Sequence, residues 1–198
     1  MNADRASLRR ELRAQRRAIP PAARIAAAEA LAARILALPF LPAVGDIAGY
    51  WAMDGEIALH VLQLRLPQAL RYCLPVLSGD GRLRFAPWSP GAPLVANRHS
   101  IPEPDVDESA LIEPEAMSLV LVPLVGFDAR GHRLGMGGGW YDRSFAFRNA
   151  TGATPPPWLV GVGFKAQQVD ALAAAEWDVP LDAVCTEQDV HFAHHAVP

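Results

Sequence analysis

Cysteine is scarce in this sequence, and its scarcity removes several chemistries at once. The two cysteines, Cys73 and Cys185, stand far apart and in no zinc or redox spacing. They read as buried or half-buried thiols of a reducing compartment. Long apolar runs are missing too: the longest, residues 117–127, contains Pro123 and is too short to cross a bilayer. The first residues are polar and basic with no apolar stretch behind them, which is not the pattern of a secretory signal. Asp4 and Glu11 count against an organellar transit peptide, so the expected location is the cytoplasm, away from membranes. Basic charge is not in excess, and a formal net charge of −3 excludes a general nucleic-acid binder. Internal repeats are absent. The histidines His191, His194 and His195 are scattered on a terminus expected to fray, and no site is assigned to them.

What the chain does have is apolar bulk. Hydrophobic residues make up 51% of the 198 and charged residues 20%, enough for a sizeable core and too apolar for a disordered chain. One α/β domain over residues 1–198 is expected. Residues 6–19 have helical spacing, with Leu8 and Leu12 as an apolar seam and Arg5, Arg9 and Arg13 as a column at i, i+4 beside it. The ordinary state of such a column is a solvated face. After Pro20 and Pro21 an alanine-rich helix runs to about Leu38, with Ile25, Ala28, Ala32 and Ile35 on its inner side, and Pro39 ends it. Strands are expected at residues 46–53, 72–77, 83–88, 117–122, 158–164 and 183–186, and helices at 58–66, 140–148 and 166–175. The turn residues 78–81 signal a hairpin, and the Pro- and acid-rich residues 91–115 an ordered surface loop. Strands alternating with helices predict a three-layer α/β/α sandwich around a mostly parallel sheet. Residues 117–122, apolar throughout, suit a central strand buried on both faces.

Chemistry concentrates in residues 121–143, LVPLVGFDARGHRLGMGGGWYDR. This stretch follows a buried strand and precedes a helix, where ligands of open α/β sheets bind. Gly135, Gly137, Gly138 and Gly139 fall within five positions. Such a turn presents successive backbone N–H groups, lets phosphate oxygens approach closely, and feeds them into a helix N-terminus. Arg133 and Arg143 flank the turn as cations, and Asp142 is placed to hold Mg²⁺ against phosphates. No Gly-Lys-Ser/Thr triplet occurs, and Trp140 stands where a dinucleotide fingerprint needs its third glycine. The competing reading is a turn that merely lets strand and helix pack, with Asp142 as a helix N-terminal charge.

The same stretch closely resembles the signature of the 5-formyltetrahydrofolate cyclo-ligase family: Pro123, Phe127-Asp128, Gly131, residues 133–139, the aromatic pair Trp140-Tyr141, and Asp142. Shorter matches extend along the chain: Arg5-Ala-Ser-Leu-Arg9, Met53-Asp-Gly-Glu56-Ile57, Ile101-Pro-Glu-Pro104, and Trp177-Asp-Val-Pro-Leu-Asp182 followed by Thr186-Glu187. The resemblance implies a fold grouped with the sugar-phosphate isomerase and CoA-transferase-like sheets. It implies ATP-dependent cyclisation of 5-formyltetrahydrofolate to 5,10-methenyltetrahydrofolate through a phosphorylated formyl intermediate, with ADP and phosphate released. Arg133 and Asp142 would be catalytic. ATP would sit on Arg133, Leu134, Gly135, Met136, Gly137, Gly138, Gly139, Trp140 and Tyr141, with the N-terminal helix packed over it through Arg5 and Arg9. Met53 and Glu56, with Gly135, Gly137, Gly138 and Gly139, would contact the folate; Tyr50 and Trp51 either line a pterin pocket or are simply core. Mg²⁺ would be held by Asp142 and Asp182. The partners implied are these small molecules only, with the protein a monomer or, as the alternative, a homodimer. Arg5 stands where the family has lysine, Gly138 where lysine or glycine occurs, and Trp140 where tyrosine is commoner. A sugar-phosphate isomerase would use the glycine turn without an arginine clamp, and a binding paralogue would keep affinity without turnover.

Overall fold

A computed structural model describes residues 2–193, so His194 and His195 lie outside the described residues. The elements are α1 Asn2–Ala18, α2 Pro21–Leu36, β1 Gly45–Ala48, α3 His60–Arg65, β2 Leu70–Leu77, β3 Leu83–Pro87, β4 Leu94–Ala96, β5 Pro102–Pro104, β6 Leu119–Pro123, β7 Gly126–Phe127, β8 Arg133–Leu134, α4 Trp140–Ser144, β9 Trp158–Val162, β10 Ala183–Cys185 and β11 Val190–Phe192. Short 3₁₀ turns occupy residues 108–110, 114–116, 146–149 and 165–167. Pro20, extended at φ −61° and ψ 148°, separates α1 from α2, and Pro21 opens α2 where a missing N–H costs nothing.

Seven strands form the main sheet in the order β11-β10-β9-β6-β1-β2-β3. The inner five run parallel, and the edge strands β3 and β11 are antiparallel to their neighbours. β6 is central, and its alternation explains its unbroken apolar run. Leu119 and Leu121 point into the core under α2 and α3, while Val120 and Val122 point into the opposite core with Phe85, Phe127 and Phe145. Both faces are dry, so no position in the strand calls for a polar residue. The C-terminal ends of β1, β2 and β6 open onto one edge of the sheet. There α1 docks by Leu12, which packs with Val125, Leu134 and Leu172 in a third, smaller core.

Four expectations fail in detail. Ile25 is 66% exposed, because the first turn of α2 stands clear of the sheet and burial begins at Ala27. β1 stops at Ala48; Gly49 lies against the Tyr72 ring, too close for a Cβ, and residues 49–53 lie outside any strand. Residues 166–175 hold no helix: a 3₁₀ turn covers 165–167 and the remainder is irregular. Val169 donates its N–H to Phe127 O at 2.9 Å and Leu172 donates to Asp128 Oδ2 at 3.0 Å, so tertiary partners replace the helical ladder. His191 sits in β11, an ordered edge strand, and not on a frayed tail.

Candidate active site

The loop that leaves β6 is built by its own backbone before it can hold anything. β7 and β8 form a small hairpin, with Gly131 at φ +88° and the buried Asp128 carboxylate taking the N–H groups of Arg130 and His132. The chain then runs through residues 135–139, where Gly137 at φ +98° and Gly139 at φ +65° adopt the left-handed backbone that other residues resist. Gly139 caps α4 in that conformation. The N–H groups of residues 135–139 donate to no acceptor among the described residues. These residues line a cavity of about 440 Å³, and an added Cβ at Gly135 would meet open space.

Charge is arranged around this turn in two tiers. The Arg133 guanidinium, 6% exposed, donates to Val179 O and to Asp142 Oδ1. Val179 returns its N–H to the same Asp142 oxygen at 3.2 Å, locking the loop to residues 178–179. Asp178 beside it accepts both Arg5 terminal nitrogens, at 3.4 and 3.3 Å, and the Ala175 N–H at 3.0 Å. Arg9 Nε donates to Gly135 O at 2.8 Å. The Arg5–Arg9 face of α1 thus closes over the glycine turn. Arg143, by contrast, is spent on Gly81 O and Gly138 O. Its guanidinium and that of Arg98 lie 5.1 and 5.0 Å from the Trp140 ring, with His99 edge-on to it at 6.3 Å.

The next turns of α1 hold the opposite wall. Asp54, in a left-handed turn at φ +51°, receives Arg13 at 2.7 Å, Arg16 at 2.9 Å and Arg17. Burial alone would raise its carboxyl, but the three guanidiniums outweigh that and hold it at about 2. Arg16 is fully buried and also donates to Asp54 O and Leu124 O. Glu56 accepts the Met53 N–H on Oε2 at 3.0 Å and has Arg16 3.7 Å from Oε1; burial pushes its carboxyl above the ordinary range. Tyr50, Trp51 and Met53 line the same cavity, and Tyr50 donates to Ile57 O at 2.8 Å.

The structure therefore brings Arg5, Arg9, Met53, Glu56, Arg133, Gly135, Met136, Gly137, Gly138, Gly139, Trp140, Tyr141 and Asp142 to one cavity. Leu134 is buried beneath it in the α1 core. Asp182 does not join them. Its carboxylate is 1% exposed and is taken up by Arg148 at 2.9 Å and the Leu159 N–H at 2.7 Å. The paired arrangement with Asp142 is thus corrected: Asp178, four residues earlier in the same motif, is the aspartate that lines the cavity. Arg16 and Asn97 also escaped the sequence reading, while Asp54 and Glu103 entered it only as members of the matches at residues 53–57 and 101–104, without roles of their own. Arg16 had a signal, because it continues the Arg9–Arg13 column at i+3.

Comparisons with known proteins place the chain in a family. A sequence model of the 5-formyltetrahydrofolate cyclo-ligase family matches residues 1–187. The chain is 35% identical over 182 residues to the 5-formyltetrahydrofolate cyclo-ligase of Escherichia coli K12, covering 90% of this chain and 98% of the relative. It is 36% identical over 139 residues to the enzyme of the same name from Haemophilus influenzae, covering 69% of this chain and 72% of that one. Among solved structures, it resembles the 5,10-methenyltetrahydrofolate synthetase of Aquifex aeolicus with a TM-score of 0.80 and 27% identity, covering 96% of this chain and 93% of the other.

Proposed function

This chain belongs to the 5-formyltetrahydrofolate cyclo-ligase family, and from that premise we propose how its residues close 5-formyltetrahydrofolate to 5,10-methenyltetrahydrofolate with ATP. The observation that carries the proposal is the row of unpartnered N–H groups at residues 135–139, roofed by Arg9 and flanked by Arg133. Five donors and nearby guanidiniums form a cradle for a polyanion, and the γ-phosphoryl group of ATP is the polyanion this reaction uses. Arg5 and Arg9 hold the nucleotide from above. Met53 and Glu56, with the glycine turn, hold the folate so that its formyl oxygen meets the γ-phosphorus.

The formyl oxygen forms a bond to that phosphorus while the bond to the bridging oxygen breaks, and ADP leaves. The N10 lone pair then attacks the activated formyl carbon. N10 loses its proton, the former formyl oxygen departs with phosphate, and the methenyl bridge closes. No protein nucleophile is required. Alignment of two bound substrates and donors aimed at developing phosphoryl charge supply the rate.

Magnesium fits the donors present. Asp142 Oδ2 and Asp178 Oδ1 accept no hydrogen bond among the described residues, and carboxylate oxygens beside phosphates suit this hard cation. Asp142 and Asp178 would hold it, and when bound it neutralises phosphate charge. Among the described residues no three His, Cys, Asp or Glu side chains form a metal cluster, so phosphate oxygens or water would supply its remaining ligands.

Cys73 and Cys185, both buried and unpaired, support a reducing, cytoplasmic setting. No helix among the described residues is long and apolar enough to cross a membrane.

The decisive experiment is to follow ATP-dependent formation of the methenyl product. Absence of conversion, or conversion without ATP, would overturn the assignment. Substrate labelled with ¹⁸O at the formyl group should deliver its label to inorganic phosphate. Label recovered in water would exclude the phosphorylated intermediate.

A further inference from the structure

One wall of the cavity holds a carboxylate that this mechanism does not use. Glu103 lies on β5, between Pro102 and Pro104, and is only 8% exposed. Its Oε1 accepts the Leu77 N–H at 2.8 Å and Asn97 Nδ2 at 2.7 Å. Asn97 is itself fixed, because its Oδ1 takes the N–H groups of His99 and Ile101. Oε2 accepts no hydrogen bond among the described residues, and Glu103 lines the cavity. No Arg, Lys or His pairs with this carboxylate among the described residues.

Burying an ionised carboxylate against two neutral donors and no cation is costly unless something else satisfies it. The other carboxylates on this half of the cavity are already engaged. Asp54 has three guanidiniums, and Glu56 has the Met53 N–H on one oxygen and Arg16 near the other. On this half of the cavity Glu103 Oε2 is the carboxylate oxygen with neither a hydrogen bond nor a cation beside it among the described residues, held in place by a strand whose two prolines fix the backbone. An acceptor so prepared suits a ligand with adjacent N–H donors. Of the two ends of a reduced folate, the glutamate end carries carboxylates and would be repelled. The pyrimidinone end presents a 2-amino group beside a ring N–H.

Resting on the cyclo-ligase reading above, we infer that Glu103 recognises the 2-amino/N3–H edge of the substrate's pyrimidinone ring and is a specificity-determining residue of this enzyme. The reach of the site follows from this. Folates and pterins with that edge are accepted whatever stands on their glutamate tail, and ring systems lacking the donors are rejected.

Glu103→Gln separates recognition from scaffolding. Glutamine keeps an oxygen for Leu77 and Asn97 but presents an NH₂ to the ligand in place of an acceptor. The variant should keep the wild-type Tm, kcat and KM for ATP, while KM for 5-formyltetrahydrofolate rises about tenfold to a hundredfold, the range for a lost hydrogen bond to a charged group. The 2-desamino analogue of the substrate should suffer a similar loss with wild-type protein and little further loss with the variant. An unchanged folate KM in a folded Gln variant overturns the proposal, and so does full discrimination against the analogue retained by that variant. If the variant does not fold, wild-type protein that fails to distinguish substrate from analogue overturns it just as well. Wild-type turnover of 5-formyltetrahydrofolate is measured first, and its absence would count against the cyclo-ligase reading instead.

Discussion

Asp54 shows how a single residue can serve both the fold and the cavity. Three arginines from consecutive turns of α1 converge on it, and its left-handed turn aims the carboxylate at them. Because the folded carboxyl is held at about 2, below its ordinary 3.8, the stability it contributes is present above the ordinary value and lost as pH falls toward about 2. Urea unfolding should therefore show stability declining over that window. Asp54→Asn should lower stability by about 1–3 kcal/mol near neutral pH and flatten the decline. Asparagine tolerates the left-handed backbone, so the loss reports charge and not strain. A decline of undiminished steepness in the variant would assign it to other carboxylates, such as Asp128. Elsewhere arginine takes over what the family resemblance assigns to lysine. Lys165 is the chain's sole lysine, and Arg5 reaches Asp178 with two nitrogens where an ammonium would offer one point of contact.

At the scale of elements, α1 is the clearest case of structure read in advance. Its apolar seam and arginine column were legible because both follow the 3.6-residue period, and Leu12, Arg5, Arg9 and Arg13 point where that period sends them. β6 was legible for a similar reason, since burial on both faces leaves an unbroken apolar run. Residues 166–175 misled because alanine-rich composition carries helix propensity, and only the tertiary partners Phe127 and Asp128 reveal that the backbone is bonded elsewhere. The choice between Asp178 and Asp182 was equally hidden. Both lie in one motif, and the path of residues 175–182 across the strand ends decides which faces the cavity. Strand order rests on long-range pairing that no local period records, and so does the tie of β5 to β2 through the Leu77 N–H and Glu103. If α1 is the nucleotide's roof, Arg9→Ala should raise the KM for ATP about tenfold while leaving that for folate within about twofold. The reverse ordering, read from steady-state kinetics, would make α1 a wall of the folate site.

For the molecule as a whole, the question is whether α1 behaves as a detachable lid. Its contacts argue otherwise. Buried Arg16 ties it to Asp54 and to Leu124 O, Arg24 of α2 grips its last turn through Arg16 O at 2.7 Å, and Leu12 completes a core with Val125, Leu134 and Leu172. Removing the helix would strand the Asp54 carboxylate and open that core, so it should melt with the sheet in one cooperative step. Far-UV circular dichroism and tryptophan fluorescence should then give coincident thermal transitions. Because the nucleotide contacts proposed here span α1 and the glycine turn, Mg-ATP at about one hundred times its Kd should stabilise the whole unit by about 2.7 kcal/mol. For a chain of this size that corresponds to a rise in Tm of roughly 5–10 °C. Arg9→Ala, which loses one partly exposed hydrogen bond, should keep nearly the same ligand-free Tm yet show a smaller rise at the same nucleotide concentration. A helical signal that melts ahead of fluorescence, or a nucleotide shift indifferent to Arg9, would mean that α1 only covers the sheet and takes no part in binding.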